Sequence, residues 1–189
     1  KIMSSTNRGA TRCVADFYRT PSNTINIFLE HFKLLEGPVL EICAGDGAIV
    51  KELRKRTDWA IIANEIRTEE NDNLRKSGAN FVMNFDAKKL RAKDLEPYEP
   101  TTIITNPPFS LAQEILENCF KEFPHAEIIM LLRLNFLGSQ KRKTFWEQHP
   151  VTQLYVLSQR PSFTGKGTDS TEYAWFVWSE YCHPAIKVI

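Results

Sequence analysis

Cysteine is scarce and scattered in this sequence. Cys13, Cys43, Cys119 and Cys182 form no CxxC pair, which argues against a zinc or other metal site and for a reduced, intracellular setting. An excess of charge of one sign is also missing, because 24 Lys and Arg nearly cancel 23 Asp and Glu to leave a net charge of +1. The molecule as a whole therefore pulls weakly on a polyanion, and any affinity for nucleic acid has to come from local patches. No apolar run is long enough to cross a bilayer, "IIMLL" at 128–132 being among the longest, and the first residues, "KIMSSTNRGATR", lack the apolar core of a signal peptide. The expectation is a soluble, cytoplasmic protein without a membrane segment. Internal repeats and low-complexity linkers are absent too. A chain of 189 residues with 42% hydrophobic content suits one domain, 1–189, with residues 1–15 expected to be flexible.

What the sequence does contain is a series of short β-branched and apolar runs. They are "VLEIC" (39–43), "WAIIAN" (59–64), "NFVM" (80–83), "TTIIT" (101–105), "AEIIMLL" (126–132), "TQLYVLS" (152–158) and "EYAWFVW" (172–178). The first five are almost continuously apolar, and helix-compatible segments separate most of them, as parallel strands buried on both faces require. The last two are joined by "QRPSFTGKGTDST", too short for a helical crossover, which predicts an antiparallel pair. The fold class is thus α/β: a seven-stranded, mostly parallel sheet with an antiparallel last strand and helices on both faces. Two helices can be placed. Leu111, Ile115, Cys119 and Phe123 recur at i+4, and Pro21-Ser22 opens a second pattern with Ile25, Phe28, Leu29 and Phe32 on one face.

Four residues at the expected C-terminal ends of the first four strands, Gly45, Glu65, Asp86 and Asn106, are spaced by 20, 21 and 20 positions. In an open α/β sheet those ends line one crevice. In "EICAGDGAIV", Gly45 and Gly47 follow a buried strand, and Glu65 is placed to accept from two ribose hydroxyls, which together point to a nucleoside cofactor. A nicotinamide reading is weaker because the third glycine position is Val50. On that stretch alone a plain strand-to-helix turn serves equally well. "TNPPFS" adds a stiff loop after the fourth strand, since both prolines have fixed φ and no N–H and each restricts the residue before it. The Pro107 carbonyl is then available as a rigid acceptor.

"EICAGDG" followed by "NPPF" resembles the amino-methyltransferases that use S-adenosylmethionine, above all the N6-adenine DNA methyltransferases in their gamma-type motif order. The resemblance covers most of the chain and implies a Rossmann-like methyltransferase fold. "DFYRTP" (16–21) resembles the N-terminal cofactor motif of that family. The implied cofactor set is Tyr18, Thr20, Pro21, Glu41, Ala44, Gly45, Gly47, Glu65, Ile66, Asp86, Ala87 and Asn106. The implied catalytic loop is Asn106, Pro107, Pro108 and Phe109. Asn106 and the Pro107 carbonyl would accept the two hydrogens of an adenine N6 amine, recovering its lone pair for direct displacement at the sulfonium methyl group.

Such a pocket takes a flipped or single-stranded base, held by Phe109 and, from the last hairpin, Phe163. Lys141, Arg142, Lys143, Arg160 and Lys166 are candidates for nucleic-acid contact, whereas Lys51, Arg54, Lys55 and Arg56 read as a solvated helix face. His31, His125, His149 and His183 fall outside the motifs and receive no role. NPPF-type loops also serve RNA methyltransferases acting on adenine N6 or guanine N2, and NPPY loops serve enzymes modifying a protein glutamine amide. A non-catalytic binding subunit of the same fold is a further alternative. Gamma-type enzymes usually carry a C-terminal recognition domain that has no counterpart here, so recognition is expected from segment 133–147, the hairpin loop, a second protomer or a separate partner.

Overall fold

Strands with no polar face have to be covered on both sides, and the chain meets this demand with two helical layers. The computed structural model describes residues 18–165 and 167–189. The expected flexibility of 1–15, Asp16 and Phe17 of the N-terminal motif, and Lys166 lie outside the described residues. Helix α1 (Ser22–His31) starts at Pro21. There follow β1 (Val39–Glu41), α2 (Ala48–Arg54), β2 (Ile61–Asn64), α3 (Asn71–Ser77), β3 (Phe81–Met83), β4 (Thr102–Thr105), α4 (Ala112–Glu122), β5 (Glu127–Arg133), α5 (Lys143–Gln148), β6 (Gln153–Val156), β7 (Tyr173–Trp178) and β8 (Ala185–Val188). The sheet order is β3-β2-β1-β4-β5-β7-β6-β8. β1 pairs in parallel with β2 on one side and β4 on the other. β7 inserts antiparallel between β5 and β6.

Helices α1, α2 and α3 cover one face. Ile25, Phe28, Val50, Leu53 and Leu74 there meet the sheet residues Val39, Ile61, Ile104 and Trp175. The Phe28 ring stacks on Trp175 at 4.9 Å between centroids, and the Trp175 indole N–H donates to the Thr24 carbonyl at 3.1 Å, so α1 is fixed to β7 by both packing and a polar bond. The other face is covered by α4 and α5, with Ile115, Leu116, Cys119 and Phe145 against Leu40, Ile103, Met130 and Phe176. Both predicted helices therefore lie on the sheet through the predicted faces.

One strand was not foreseen: the sheet has eight strands and not seven. β8 adds in parallel to the outside of β6, with Ile186 75% and Val188 71% exposed. It is held by ladder bonds, such as Ile189 N–H to the Val156 carbonyl at 2.8 Å, and by burial of Ile189. An edge strand of this kind leaves no run of buried side chains to mark it in the sequence. No helix among the described residues is long and apolar enough to cross a membrane.

Gly47 starts α2 with φ 88°, the left-handed region that favours glycine. A Cβ there would lie 2.5 Å from Ser77 Oγ and 2.8 Å from Ser77 Cβ, so a side chain would push α3 away from the loop. Gly47→Ala is expected to destabilise the protein by about 2 kcal/mol or more from backbone strain plus this clash, measured by chemical denaturation.

Candidate active site

The C-terminal ends of β1, β2 and β4, together with the segment after β3, surround a cavity of about 580 Å³. Gly45, Glu65, Asp86 and Asn106 all line it, as the 20-residue rhythm predicts. Tyr18, Thr20, Glu41, Ala44, Ile66, Ala87, Pro107, Pro108, Phe109 and Phe163 line it too. Two expected cofactor residues do not. Pro21 and Gly47 instead sit at the starts of α1 and α2, where a fixed φ and a left-handed φ are used to begin a helix.

The turn after β1 is stitched to its neighbours. Ala44 N–H donates to the Asn64 carbonyl at 2.9 Å. Cys43 N–H donates to Thr105 Oγ1 at 3.2 Å. Gly45 N–H donates to Glu65 Oε2 at 2.8 Å. Glu65 Oε1 accepts from the backbone N–H and the Nε–H of Arg67 at 3.0 and 2.9 Å. A carboxylate offers about four lone-pair sites, so Glu65 is held rigidly and keeps acceptor capacity on the cavity side. Asn64 completes the stitching: its amide donates to the Ile42 and Phe85 carbonyls and accepts from Phe85 N–H. Asp86 accepts from Lys88 N–H at 3.0 Å.

Glu41 differs from every other acid here. It is 1% exposed, and neither carboxylate oxygen has a hydrogen-bond partner, yet the residue lines the cavity. Burial pushes its pKa well above the usual carboxylate range, and the charge of Glu65 adds to the rise. The nearby Thr105 hydroxyl and Cys43 N–H offset part of this, although those two groups are bonded to each other.

Asn106 is held in one orientation. Its Nδ2 donates to Thr20 Oγ1 at 3.0 Å, and Thr20 is buried. The amide oxygen accepts no bond among the described residues, and the residue lines the cavity. Next to it, the Pro108 carbonyl is taken by Leu111 N–H at 3.0 Å, while the Pro107 carbonyl accepts none among the described residues. The rings of Phe109 and Phe163 both pack on buried Tyr173, at 5.6 and 5.0 Å, and Tyr18 lies 6.3 Å from Phe163. Three aromatic rings thus line one part of the cavity wall.

Of the basic candidates, Lys141, Arg142, Lys143 and Arg160 do not line the cavity. Arg142 lies over the Phe136 ring at 4.3 Å, Lys143 pairs with Glu147 at 3.8 Å, Arg160 is bonded to Glu172, and Lys141 is exposed. Lys166 is outside the described residues. Conversely, sequence reasoning missed Asn64, Arg67, Arg133, Asp169 and Tyr173. Tyr173 stood in view within "EYAWFVW" but reads there only as a strand former. Among the described residues, no group of three or more His, Cys, Asp or Glu is placed to hold a metal ion.

The donor set fits the S-adenosylmethionine that the resemblance implies. Glu41 offers an unpartnered buried carboxylate to a cation, Glu65 offers acceptors to a ribose, and half-exposed Ile66 and Phe85 offer apolar surface to an adenine.

No family model and no curated protein matches the sequence. Solved structures do resemble the fold. PH1948 of Pyrococcus horikoshii, provisionally described as an RNA methyltransferase, matches with a TM-score of 0.67 at 18% identity over 93% of this chain and 89% of its own. The 23S rRNA methyltransferase ErmE gives 0.62 at 22% identity, over 89% of this chain and 71% of its own. The precorrin-6y C5,15-methyltransferase of Geobacter metallireducens gives 0.58 at 18% identity, over 86% and 93%.

A cation seated on Glu41 has to meet the ionised carboxylate. Binding of S-adenosylmethionine is therefore expected to release a proton, and affinity should rise with pH, by up to tenfold per unit, from the usual carboxylate range up to the raised pKa of Glu41. Calorimetry in buffers of different ionisation enthalpy measures this directly. Glu41→Gln should bind more weakly and lose the pH dependence.

Proposed function

The Rossmann-like methyltransferase fold is the premise here, and we propose that this chain transfers a methyl group from S-adenosylmethionine to the exocyclic N6 amine of an adenine in nucleic acid. The observation that carries the reading is a pair of acceptors, Asn106 Oδ1 and the Pro107 carbonyl, that take no hydrogen bond among the described residues, on a loop whose orientation is locked by Thr20. Bound S-adenosylmethionine supplies a methyl group already activated by its sulfonium.

The protein's own work lies on the acceptor side. The lone pair of an aromatic amine is delocalised into its ring. Two fixed acceptors that take its hydrogens draw the nitrogen toward tetrahedral geometry and free that lone pair. Because the prolines and Thr20 hold both acceptors before substrate arrives, little reorganisation is needed during reaction. Once methylated, the amine releases one of its two hydrogens as a proton to water, so no general base has to act in the transfer step. Phe109 and Phe163 offer ring faces to the base, and an aromatic cradle suits a planar heterocycle better than the flexible amide of a protein glutamine.

Two carriers of the base are supported by different observations. The order of the motifs favours DNA. The similar structures named for RNA substrates favour RNA, and they outweigh motif order because an NPPF-type loop serves both. Transfer of a labelled methyl group to single-stranded RNA, single-stranded DNA and duplex DNA in parallel tests the reading, with RNA expected to be labelled fastest. Absence of label on every nucleic acid would sink it.

Asn106→Ala is expected to lower turnover about a hundredfold or more, well beyond any loss of cofactor affinity. Thr20→Val, which leaves the Asn106 amide untethered, should lose roughly tenfold. Single-turnover kinetics with separate cofactor titrations distinguish the two quantities. Phe163→Ala should weaken target binding by about tenfold to a hundredfold, and Phe163→Trp by less, since stacking is worth ~1 to 3 kcal/mol per base. A strand carrying 2-aminopurine at the target position gives the readout, and unchanged fluorescence in Phe163→Ala would remove Phe163 from the base pocket.

A further inference from the structure

Arg133 ends β5, and the ladder pairs it directly with Tyr173, the first residue of β7. Register alone thus sets a guanidinium beside a phenol. Arg133 Nε donates to Tyr173 Oη at 3.1 Å, the Tyr173 hydroxyl donates to Asp169 Oδ2 at 2.6 Å, and Arg133 Nη2 lies 3.8 Å from that same oxygen. The Arg133 Cζ atom sits 4.6 Å from the centroid of the Phe109 ring. The side chain is 41% exposed.

These contacts orient the guanidinium without consuming it. The contact with Phe109 is of the cation–π kind, and the Nη protons make no hydrogen bond among the described residues. Asp169, the nearest carboxylate, already accepts from the Tyr173 hydroxyl and from Ser170 N–H. Arg160 and Arg142 contrast with this, since the first is bonded to Glu172 and the second covers Phe136 away from the cavity. A planar fork whose Nη donors make no hydrogen bond among the described residues, fixed beside a ring of the base pocket, has the geometry for bidentate contact with a phosphate.

We propose that Arg133 binds the backbone phosphate flanking the flipped nucleotide, so that the residue cradling Phe109 also anchors the strand that delivers the base. This rests on the nucleic-acid reading of the site given above. Contacts to phosphate set register and orientation without reading sequence, so the role is one of positioning.

The test uses a single strand that the wild-type protein methylates, and variants of that strand with one phosphate next to the target replaced by neutral methylphosphonate. Arg133→Gln is expected to bind the unmodified strand about fivefold to fiftyfold more weakly and to lose about 0.7 from the slope of log affinity against log salt, the share of one phosphate contact on a single strand. Cofactor affinity should not change. The methylphosphonate should weaken binding by the wild type and make no further difference to Arg133→Gln. Arg133→Lys, which keeps the charge and loses the fork, should fall between the two and carries the same comparison if Arg133→Gln does not fold. A variant that keeps the full salt slope and remains sensitive to the methylphosphonate overturns the proposal and leaves Arg133 as a support for Phe109. A wild-type protein that methylates no strand fails the functional reading beneath it, which is a separate and recognisable result.

Discussion

The cavity exists because β1 pairs with β2 on one side and β4 on the other, while the connections from these strands leave toward opposite faces of the sheet. α2, which follows β1, packs on one face. α4, which follows β4, packs on the other. The loops at the C-terminal ends of the two strands must therefore diverge, and a crevice opens between them. The remainder of the site stabilises the sides of that crevice. Bonds from Gly45 to Glu65, Cys43 to Thr105 and Asn64 to Phe85 tie each loop to a neighbour and fix the residues that line the crevice.

Three of the four buried glutamates differ in how their carboxyl groups are satisfied. Glu127 is buried at the opposite end of the sheet, and burial raises its pKa. Leu35 N–H, the Thr102 hydroxyl and the Ser179 hydroxyl all bond to it. Glu52 also suffers burial, but hydrogen bonds from Lys55, Asn26 and Ser22 outweigh it and hold its pKa below the usual value. Glu41 alone faces the cavity with two unpartnered oxygens. A partnerless buried carboxyl is costly to a fold, and a site where satisfaction fails in one place while succeeding around it is where a ligand is expected.

The rim is organised by aromatic packing on one buried residue. Tyr173 supports Phe109 and Phe163 and through its hydroxyl holds Asp169. The loop between β6 and β7 is closed further by Arg160 with Glu172 and by Asp169 N–H with the Pro161 carbonyl. Burial, with help from Asp169, raises the Tyr173 pKa, so the hydroxyl stays a donor. The exposed Arg160 pair contributes little stability by itself.

The sequence by itself determined the parallel α/β sheet, seven of its eight strands, the two helical faces, and the gathering of Gly45, Glu65, Asp86 and Asn106 around one crevice. Each of these follows from local properties that survive any tertiary detail: apolar runs that demand burial on both faces, a repeat of about twenty residues, and prolines whose φ is covalently fixed. The tertiary structure decided the rest. Thr20 orients Asn106 across 86 positions of sequence, and only the packing of α1 against the sheet brings them together. Gly47 and Pro21 proved to be helix starts, because a positive φ or a fixed φ serves a helix boundary as well as a ligand. β8 was invisible because backbone pairing holds it, with little buried side-chain surface. Arg133 and Tyr173 became partners through strand register, a property of two strands that neither segment encodes alone.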